Sequence, residues 1–282
     1  MIIWIASYPK SGNTWLRFFI LSLLSREKEK INLDHLKNIE QFPNKSQFES
    51  FKINVNDLKQ VSKNWINAQK KINLSKKIKF FKTHNLLCQV EKNSFTNYDN
   101  TLGVIYIVRD PRNIITSIKN HYNMESYNDA KNFMFDETSV INSLDNLDRN
   151  DYPLPQILGS WKTHYLLWKN MQKNYLLIKY ENLIKKPQSE FKKISDYLEK
   201  IMNTKFSQKE LDEAIFSSSF DKLEEMEKTK GFSESVKNNK TGKIKKFFYL
   251  GPKNDWNNIL DKKIAEEINI KFKPEMKELE YL

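Results

Sequence analysis

The chain opens with two apolar runs that are separated by a short loop containing proline and glycine. Residues 2–7 (IIWIAS) form a continuous apolar run that ends before Pro9 and Gly12. Such a run is typical of a strand that is buried on both faces, as in a parallel sheet. The segment from Asn13 to Leu24 predicts a helix. A buried strand that turns directly into a helix favours an α/β fold.

The same alternation of strand and helix continues along the chain. Further strands are predicted at 77–84, 102–110 and 174–183. Further helices are predicted at 111–122, 156–171, 186–200, 207–217 and 261–272. This order predicts a central parallel β-sheet with helices on both faces, a doubly wound fold in which ligands bind at the carboxyl ends of the strands.

The chain shows no internal repeat and no low-complexity linker, so we expect residues 1–282 to form a single α/β domain. Three segments have weak periodicity and many polar residues: 28–76, 123–155 and 228–255. Long excursions of this kind commonly form lids or substrate loops, with helical decoration of the domain as the alternative.

The net charge of +12 comes mostly from lysine. A basic balance is compatible with nucleic acid, an acidic membrane surface or an anionic substrate. Because no basic repeat interleaved with aromatic residues occurs, we do not expect nucleic-acid binding. Two of the few arginines, Arg109 and Arg112, lie in the short stretch VRDPRN, and arginine is the better bidentate ligand of phosphate.

The sequence favours a cytoplasmic protein without an integral membrane segment. Its single cysteine, Cys88, excludes an intramolecular disulfide and fits a reducing compartment. No signal-like stretch precedes Pro9. The longest apolar run, from Leu16 to Leu24, is interrupted by Arg17 and is too short to span a bilayer.

The loop PKSGNT between the first strand and the first helix is suited to bind an anion. Backbone amides at a helix N-terminus attract anions, and Gly12 lets a ligand approach the backbone closely. Further donors come from the side chains of Lys10, Ser11, Asn13 and Thr14. A Walker A loop places its lysine after the last glycine, whereas here the lysine comes before it. We expect an anion cradle that needs no Mg²⁺, with an ordinary tight turn as the alternative.

Arg109 is a second candidate anion ligand, because it stands at the carboxyl end of the third strand and just before a helix. Ser117 follows eight residues later and faces back toward Arg109 if the helix is regular. A structural salt bridge between Arg109 and Asp110 is the alternative.

The tripeptide Lys-Thr-His occurs at 82–84 and again at 162–164. His84 ends a predicted strand, where open α/β sheets bind ligands, and a neutral histidine is a common general base. His164 lies within a predicted helix between two tryptophans, which favours a packed or surface role. His35 and His121 have no supporting context.

Several motifs, taken in their order, resemble those of the sulfotransferases that use 3′-phosphoadenosine-5′-phosphosulfate (PAPS). They are YPKSGNTW, KTH at a strand end, VRDPRNIITS, YENL and GPKNDWNN, and they extend from residue 2 to about 258. The resemblance implies a P-loop-like α/β domain and transfer of a sulfuryl group without a metal ion. Lys10 then stabilises the leaving phosphate, His84 acts as the general base, and Lys82 lies near the transferred group.

The resemblance also implies the residues of the donor site. Lys10, Ser11, Gly12, Asn13, Thr14 and Trp15 resemble the loop that binds the 5′-phosphosulfate, with Trp15 near the adenine. Arg109 and Ser117 resemble the pair that binds the 3′-phosphate. Tyr180, and more weakly Ser218 and Phe220, resemble residues on the adenine side, and Gly251 belongs to a late family motif.

The late motif departs from the family pattern R-K-G-x-x-G-D-W. Tyr249 and Leu250 replace the Arg-Lys pair, and Asn254 replaces the second glycine. One clamp on the 3′-phosphate is therefore expected to be missing, unless a lysine from the same loop replaces it. The candidates are Lys240, Lys243, Lys245, Lys246 and Lys253.

The acceptor is left open by the sequence. Small hydroxyl compounds, glycans, lipid headgroups and amines all fit. The aromatic residues of the long segments either line the acceptor pocket or pack in the core: Phe42, Trp65, Phe133, Phe135, Tyr152 and Phe232. A nucleotide or sugar kinase and a non-catalytic nucleotide-binding protein are the competing functions.

Overall fold

The computed structural model describes residues 1–25, 31–141 and 152–282. Arg26, Arg149 and the parts of the predicted segments 28–76 and 123–155 at 28–30 and 142–151 lie outside the described residues. In the described ranges the strands are β1 (Ile2–Ala6), β2 (Lys79–Thr83), β3 (Gln89–Val90), β4 (Asn93–Ser94), β5 (Thr101–Val108), β6 (Val140–Ile141), β7 (Gln156–Ile157) and β8 (Tyr175–Lys179).

The central sheet has the spatial order β2–β1–β5–β8, and all its pairings are parallel. The short strands form two antiparallel ribbons, β3 with β4 and β6 with β7. The predicted parallel α/β sheet is therefore confirmed. Because β1, β2 and β5 run in the same direction, the segments that follow them meet at one edge of the sheet.

Helices surround this sheet. In chain order they are α1 (Asn13–Leu24), α2 (Leu58–Lys63), α3 (Trp65–Asn73), α4 (Pro111–His121), α5 (Tyr127–Phe135), α6 (Trp161–Lys169), α7 (Tyr180–Lys185), α8 (Pro187–Met202), α9 (Gln208–Ser217), α10 (Phe220–Lys230), α11 (Trp256–Ile259), α12 (Lys262–Lys271) and α13 (Lys273–Glu278). Within the described ranges, none of them combines the length and the apolar character that crossing a membrane requires.

The two faces of the sheet pack against separate hydrophobic clusters. Successive side chains of β1 point to opposite faces, so Trp4 packs in one cluster with Trp65 and Trp168. Ile5 points the other way and packs with Phe18 of α1. Helices therefore cover both faces, as predicted, and β1 is completely buried between them.

Two predicted elements are shorter than the sequence pattern indicates. The helix predicted at 156–171 begins only at Trp161, because Gly159 has a φ of +60° and Gln156–Ile157 pairs with Val140–Ile141. The strand predicted at 174–183 ends at Lys179, the last residue in register with β5, and α7 follows at once. The helix Asn13–Leu24 is confirmed with the predicted bounds.

The described parts of the three long segments 28–76, 123–155 and 228–255 contain helices, as in the alternative of helical decoration, and their role as lids or substrate loops stays a prediction. The first carries α2 and α3, whose Trp65 is fully buried in the core, so part of it is helical decoration. The second carries α5. The third begins at the end of α10 and continues as an irregular hairpin, and we call residues 231–250 the lid.

Candidate active site

The site lies at the carboxyl ends of β1, β2 and β5. The loop 7–12 follows β1, His84 directly follows β2, and Arg109 directly follows β5. The three predicted anchors, the anion loop, the histidine and the arginine, are thus neighbours at one sheet edge, where parallel α/β folds bind their ligands.

We call residues 7–15 the cradle loop; they comprise the loop that follows β1 and the first three residues of α1. The backbone conformation of this segment depends on glycine. Lys10 has a φ of +66° and Gly12 a φ of +102°. A Cβ atom on Gly12 would lie 2.5 Å from Cδ2 of Tyr180. Gly12 is therefore needed both for its left-handed conformation and for the close approach of the Tyr180 ring.

Asn13 ties the cradle loop back to its strand. Its Nδ2 donates to the carbonyl of Ile5 at 3.0 Å and to Oγ of Ser7 at 3.2 Å. Several polar atoms of the loop are buried and have no hydrogen-bond partner among the described residues: Ser11 Oγ, Asn13 Oδ1 and Trp15 Nε1. Buried polar groups are normally paired, so these atoms mark a place for a polar ligand or water.

Two lysines direct positive charge toward this loop. The pKa of Lys10 is lowered to about 7, mainly by burial and also by the nearby Lys82 and Arg109, against the opposing effect of Glu234. Burial likewise lowers the pKa of Lys82 to about 8, again against Glu234. The Nζ of Lys10 lies 3.9 Å from the ring centroid of Phe247, a lid residue.

His84 has a defined tautomer. Its Nδ1 lies 2.7 Å from the carbonyl oxygen of Ser7, which only accepts, so Nδ1 carries the proton and donates it. The other ring nitrogen, Nε2, then carries a lone pair. Burial lowers the pKa of His84 well below its usual value, and Lys82 lowers it further, so the ring is neutral at neutral pH. A neutral imidazole with a free Nε2 can accept a proton.

The main chain of His84 is held on both sides by buried side chains. Its amide donates to Oε1 of Gln156 at 2.9 Å. Its carbonyl accepts from Nε2 of His164 at 3.1 Å, and Nδ1 of His164 accepts from the Tyr106 hydroxyl at 2.8 Å. His164 is fully buried, which confirms the packed alternative, and it also contacts the residue proposed as the base.

Arg109 links the cradle loop to α4. Its Nη1 donates to the carbonyl of Lys10 at 3.1 Å and lies 3.5 Å from Oγ of Ser117. Its guanidinium carbon lies 4.2 Å from the ring centroid of Tyr180. Its Nε is buried and finds no partner in the part of the chain that the structure describes.

The alternative for Arg109, a structural salt bridge with Asp110, does not describe the observed pairing. Asp110 pairs with Arg112, with Nη2 and Oδ2 2.7 Å apart. Arg112 also lies over the ring of Trp256 at 4.0 Å. Arg112 therefore has a structural role, together with Asp110 and Trp256. Arg109 is the arginine that contacts the cradle loop.

The other residues predicted to bind the nucleotide form two contacting pairs and one buried hydroxyl. Trp15 packs against Tyr180, with ring centroids 5.7 Å apart. Phe220 lies against Gly251, where a Cβ atom would meet its ring at 2.1 Å. The Ser218 hydroxyl is fully buried and donates to the carbonyl of Ala214 at 2.8 Å.

Glu234 is the main residue of this region that the sequence did not reveal. It belongs to the lid, and its carboxylate lies 3.1 Å from Oγ1 of Thr14 in the cradle loop, 2.5 Å from Nη2 of Arg17 on α1 and 3.6 Å from Nζ of Lys82 on β2. Burial raises the pKa of Glu234, but Arg17 and Lys82 outweigh this and hold it well below its usual value.

No pattern in the sequence gives His121 a role, but its ring packs edge-on against Phe247, and burial lowers its pKa to about 3.

Arg17 is the sequence feature that indicates a residue such as Glu234, because an arginine buried within an apolar helix needs a negatively charged partner. Its acidic partner stands 217 residues away, where no local pattern connects the two.

Two departures in the late motif, Tyr249 and Leu250, fall on the lid, whereas Asn254 lies outside it and donates to the carbonyl of Asn113 at 2.7 Å. The side chain of Tyr249 is 53% exposed. Among the candidate lysines, Lys240 pairs with Glu125 and Lys246 with Glu224 on the surface. Lys245 donates to the carbonyl of Asn120 at 2.7 Å, and so it contacts the helix that carries Ser117.

Core packing accounts for the aromatic residues considered for the acceptor pocket. Phe42 and Trp65 are fully buried and Tyr152 nearly so. Phe133, Phe135 and Phe232 are partly buried and pack against the same hydrophobic clusters. Over residues 1–25, 31–141 and 152–282, no three His, Cys, Asp or Glu side chains are grouped closely enough to hold a metal ion.

Comparison with known proteins gives the family. The model of the sulfotransferase domain matches residues 2–280. The chain belongs to the sulfotransferase family. A curated relative of this sulfotransferase is flavonol 3-sulfotransferase of Flaveria bidentis, which is 23% identical over 272 residues, 95% of this chain and 79% of the relative.

Solved structures share the fold of this sulfotransferase. A retinol dehydratase was solved in complex with retinol and 3′-phosphoadenosine-5′-phosphate (PAP). It has a TM-score of 0.62 and 18% identity, over 98% of this chain and 81% of that one. Mouse sulfotransferase SULT7A1 complexed with PAP has a TM-score of 0.58 and 21% identity, over 97% of this chain and 84% of that one. At these identities the likeness concerns the fold.

Proposed function

We propose that this sulfotransferase transfers the sulfuryl group of PAPS to a hydroxyl or amine of a small-molecule or glycan acceptor, without a metal ion. Three observations support PAPS as the donor. The motifs resemble those of the PAPS-dependent enzymes, two proteins of the same fold were solved with PAP, and the cradle loop and Arg109 present buried donors without partners in the described chain.

The observation that carries the proposal is the hydrogen bond from Nδ1 of His84 to the carbonyl of Ser7, at 2.7 Å. Ser7 belongs to the cradle loop, so the same loop that is proposed to bind the phosphosulfate also fixes the tautomer of the base. The lone pair on Nε2 is available to take the proton of an acceptor hydroxyl.

The reaction step assigned to these residues is an in-line displacement. The acceptor oxygen forms a bond to sulfur while the bond from sulfur to the bridging oxygen breaks, and the acceptor proton passes to Nε2 of His84. Negative charge develops on the phosphate of the departing 3′-phosphoadenosine-5′-phosphate (PAP). Lys10 and the amides of the cradle loop stabilise that charge, because they are positioned before the reaction begins.

The remaining assignments concern binding. Arg109 and Ser117 bind the 3′-phosphate, and Lys245 is the lysine that replaces the missing Arg-Lys pair, because it contacts the same helix as Ser117. Lys82 lies near the transferred group. Trp15, Tyr180, Ser218 and Phe220 form the adenine side, and Gly251 of the late motif belongs to the same nucleotide site.

The named acceptors of related proteins favour an apolar compound with a hydroxyl group. Flavonol appears in the name of the curated relative, and retinol is bound to the dehydratase of the same fold. We therefore place such compounds first in an acceptor screen, ahead of glycans and amines.

The test is ligand binding followed by turnover. Thermal stabilisation is measured with PAP, AMP and ATP, each with and without Mg²⁺. We expect stabilisation by PAP that does not depend on Mg²⁺, and then release of PAP from PAPS in the presence of an acceptor. Preference for Mg-ATP would favour a kinase, and binding of PAP without turnover of PAPS by any acceptor would favour a non-catalytic role.

A further inference from the structure

The lid places a carboxylate against two groups that are assigned to the donor, Thr14 and Lys82, and against the buried Arg17. Glu234 contacts a hydroxyl, a guanidinium and an ammonium group, on Thr14, Arg17 and Lys82. These are the same kinds of donor that bind a phosphate or sulfate group in proteins. The carboxylate therefore occupies an anion site that the protein itself has built.

We propose that Glu234 sets the affinity of the cradle loop for the 5′ anion of the donor, because its carboxylate takes the place of that anion and must leave before the anion binds. The inference rests on the proposed function, since the anion is taken to belong to PAPS or PAP. A residue of the lid then helps to determine how tightly the site binds its donor.

Competition follows from shared partners. Thr14 and Lys82 are assigned to the donor, and in this structure Thr14 Oγ1 lies 3.1 Å and Lys82 Nζ 3.6 Å from the Glu234 carboxylate. A second anion placed on the same two groups would lie beside a carboxylate, and like charges at such distances repel. Donor and carboxylate therefore exclude one another.

Arg17 stabilises the state in which the Glu234 carboxylate occupies the anion site and no ligand is bound. Its side chain is 3% exposed, and its Nη2 lies 2.5 Å from the Glu234 carboxylate. A buried guanidinium without a counter-charge is costly, so the closed lid neutralises Arg17 and Lys82 together. When the donor binds, its anion replaces the carboxylate as the counter-charge, so Arg17 and Lys82 remain neutralised.

The lid is tied to α10 close to Glu234 and again near its C-terminal end. Glu227 of α10 accepts from the amides of Phe247 and Phe248 and from the hydroxyl of Ser235, which follows Glu234. At the end of α10, Gly231 has a φ of +74°, and a Cβ there would meet no described atom within 4 Å. Glu234 therefore lies between Gly231, which stands in open space, and Ser235, which is tied to α10, and its displacement by the donor anion is part of the proposal.

The experiment compares wild type with Glu234→Gln and the matched control Glu225→Gln. Glu225 lies on α10 and pairs with Lys222 on the surface, so the control removes an equal charge away from the site. PAP binding is measured by calorimetry. We expect Glu234→Gln to bind PAP about 10-fold tighter, the effect of one competing charged contact, and the control to stay within twofold.

Adenosine 3′-phosphate is the control ligand, because it lacks the 5′ anion. Its affinity should be equal within twofold in wild type and Glu234→Gln. Unchanged or weaker PAP binding by Glu234→Gln, or an equal gain with adenosine 3′-phosphate, overturns the inference. If Glu234→Gln does not fold, Glu234→Asp is used, whose shorter carboxylate reaches Thr14 and Arg17 less well, and a smaller gain of about threefold is expected.

Inorganic pyrophosphate separates this inference from the proposed function. If wild type binds no PAP, the proposed function fails. Tighter binding of pyrophosphate by Glu234→Gln then still supports the exchange of Glu234 for an anion. Equal pyrophosphate binding by the two proteins overturns the exchange, whatever the nucleotide result.

Discussion

The sheet edge and the lid approach the same charged centre, but they are held there in different ways. His84 and Arg109 stand at strand ends, and each donates to a main-chain carbonyl of the cradle loop, that of Ser7 or of Lys10. The lid reaches the same centre through side chains, the carboxylate of Glu234 and the ring of Phe247. The residues at the sheet edge are thus held by hydrogen bonds to the main chain. The lid is held by ion pairs of the Glu234 carboxylate, which another anion can replace.

The largest effect expected from the sheet edge is that of the base. We predict that His84→Ala lowers turnover of PAPS by roughly 10²–10⁴, the range typical of a general base. Affinity for PAP should change little, because the donor contacts remain. The measurement is steady-state kinetics alongside PAP calorimetry. Near-normal turnover in this variant would remove His84 from the mechanism.

A pair of glycines compares the two regions directly. Gly12 and Gly242 both have positive φ, +102° and +67°, but a Cβ on Gly12 would lie 2.5 Å from Tyr180, whereas one on Gly242 meets nothing described within 4 Å. We predict that Gly12→Ala lowers the free energy of unfolding by about 2–5 kcal/mol, from strain plus overlap. Gly242→Ala should cost about 1 kcal/mol, from strain alone. Equal losses in chemical denaturation would contradict the comparison.

The next effect concerns the 3′-phosphate. Arg109→Ala should weaken PAP binding by about 1.5–3 kcal/mol, the typical contribution of a hydrogen bond to a charged group. Binding of AMP, which has no 3′-phosphate, should hardly change. Calorimetry with both nucleotides measures the difference. An equal loss for PAP and AMP would assign Arg109 to the cradle loop alone.

The last effect is a pH dependence. Burial lowers the pKa of Lys10 to about 7 in the ligand-free protein, and a bound anion raises that pKa because it favours the ammonium form. The complex then holds more protons than the free protein above pH 7. PAP affinity should therefore fall as the pH rises from 7 to 9, by up to about 10-fold per pH unit for one proton.

The matched variant for this prediction is Lys10→Arg, because arginine stays protonated over the same range. We expect its PAP affinity to depend less on pH than that of wild type, as measured by calorimetry at several pH values. A wild-type affinity that is constant from pH 7 to 9 would show that Lys10 does not change its protonation on binding.

The same contrast explains how much the sequence could predict. The helix Asn13–Leu24 and the sheet-edge positions of His84 and Arg109 follow from local patterns, because strand, turn and helix signals are continuous there. The start of the helix at Trp161 was missed, since the pairing of Gln156–Ile157 with Val140–Ile141 depends on distant residues.

The lid lies beyond local patterns for a further reason. The contact of Glu234 with Arg17 spans 217 residues, and neither flanking sequence encodes it. The position of His164 beneath His84 likewise joins residues 80 apart. Such contacts arise only when packed helices and strands bring remote segments together. The roles assigned to individual site residues, and the single domain of residues 1–282, stay predictions.

The carbonyl of Ser7 has a consequence for anyone who wishes to redesign this protein. One atom orients the imidazole of His84, and that atom belongs to the loop proposed to hold the donor. In the proposed mechanism, donor recognition and proton acceptance are therefore coupled through this one carbonyl. A cradle loop transplanted from a relative brings its own carbonyl position with it, and a graft that improves nucleotide affinity can leave the histidine with its proton on the wrong nitrogen.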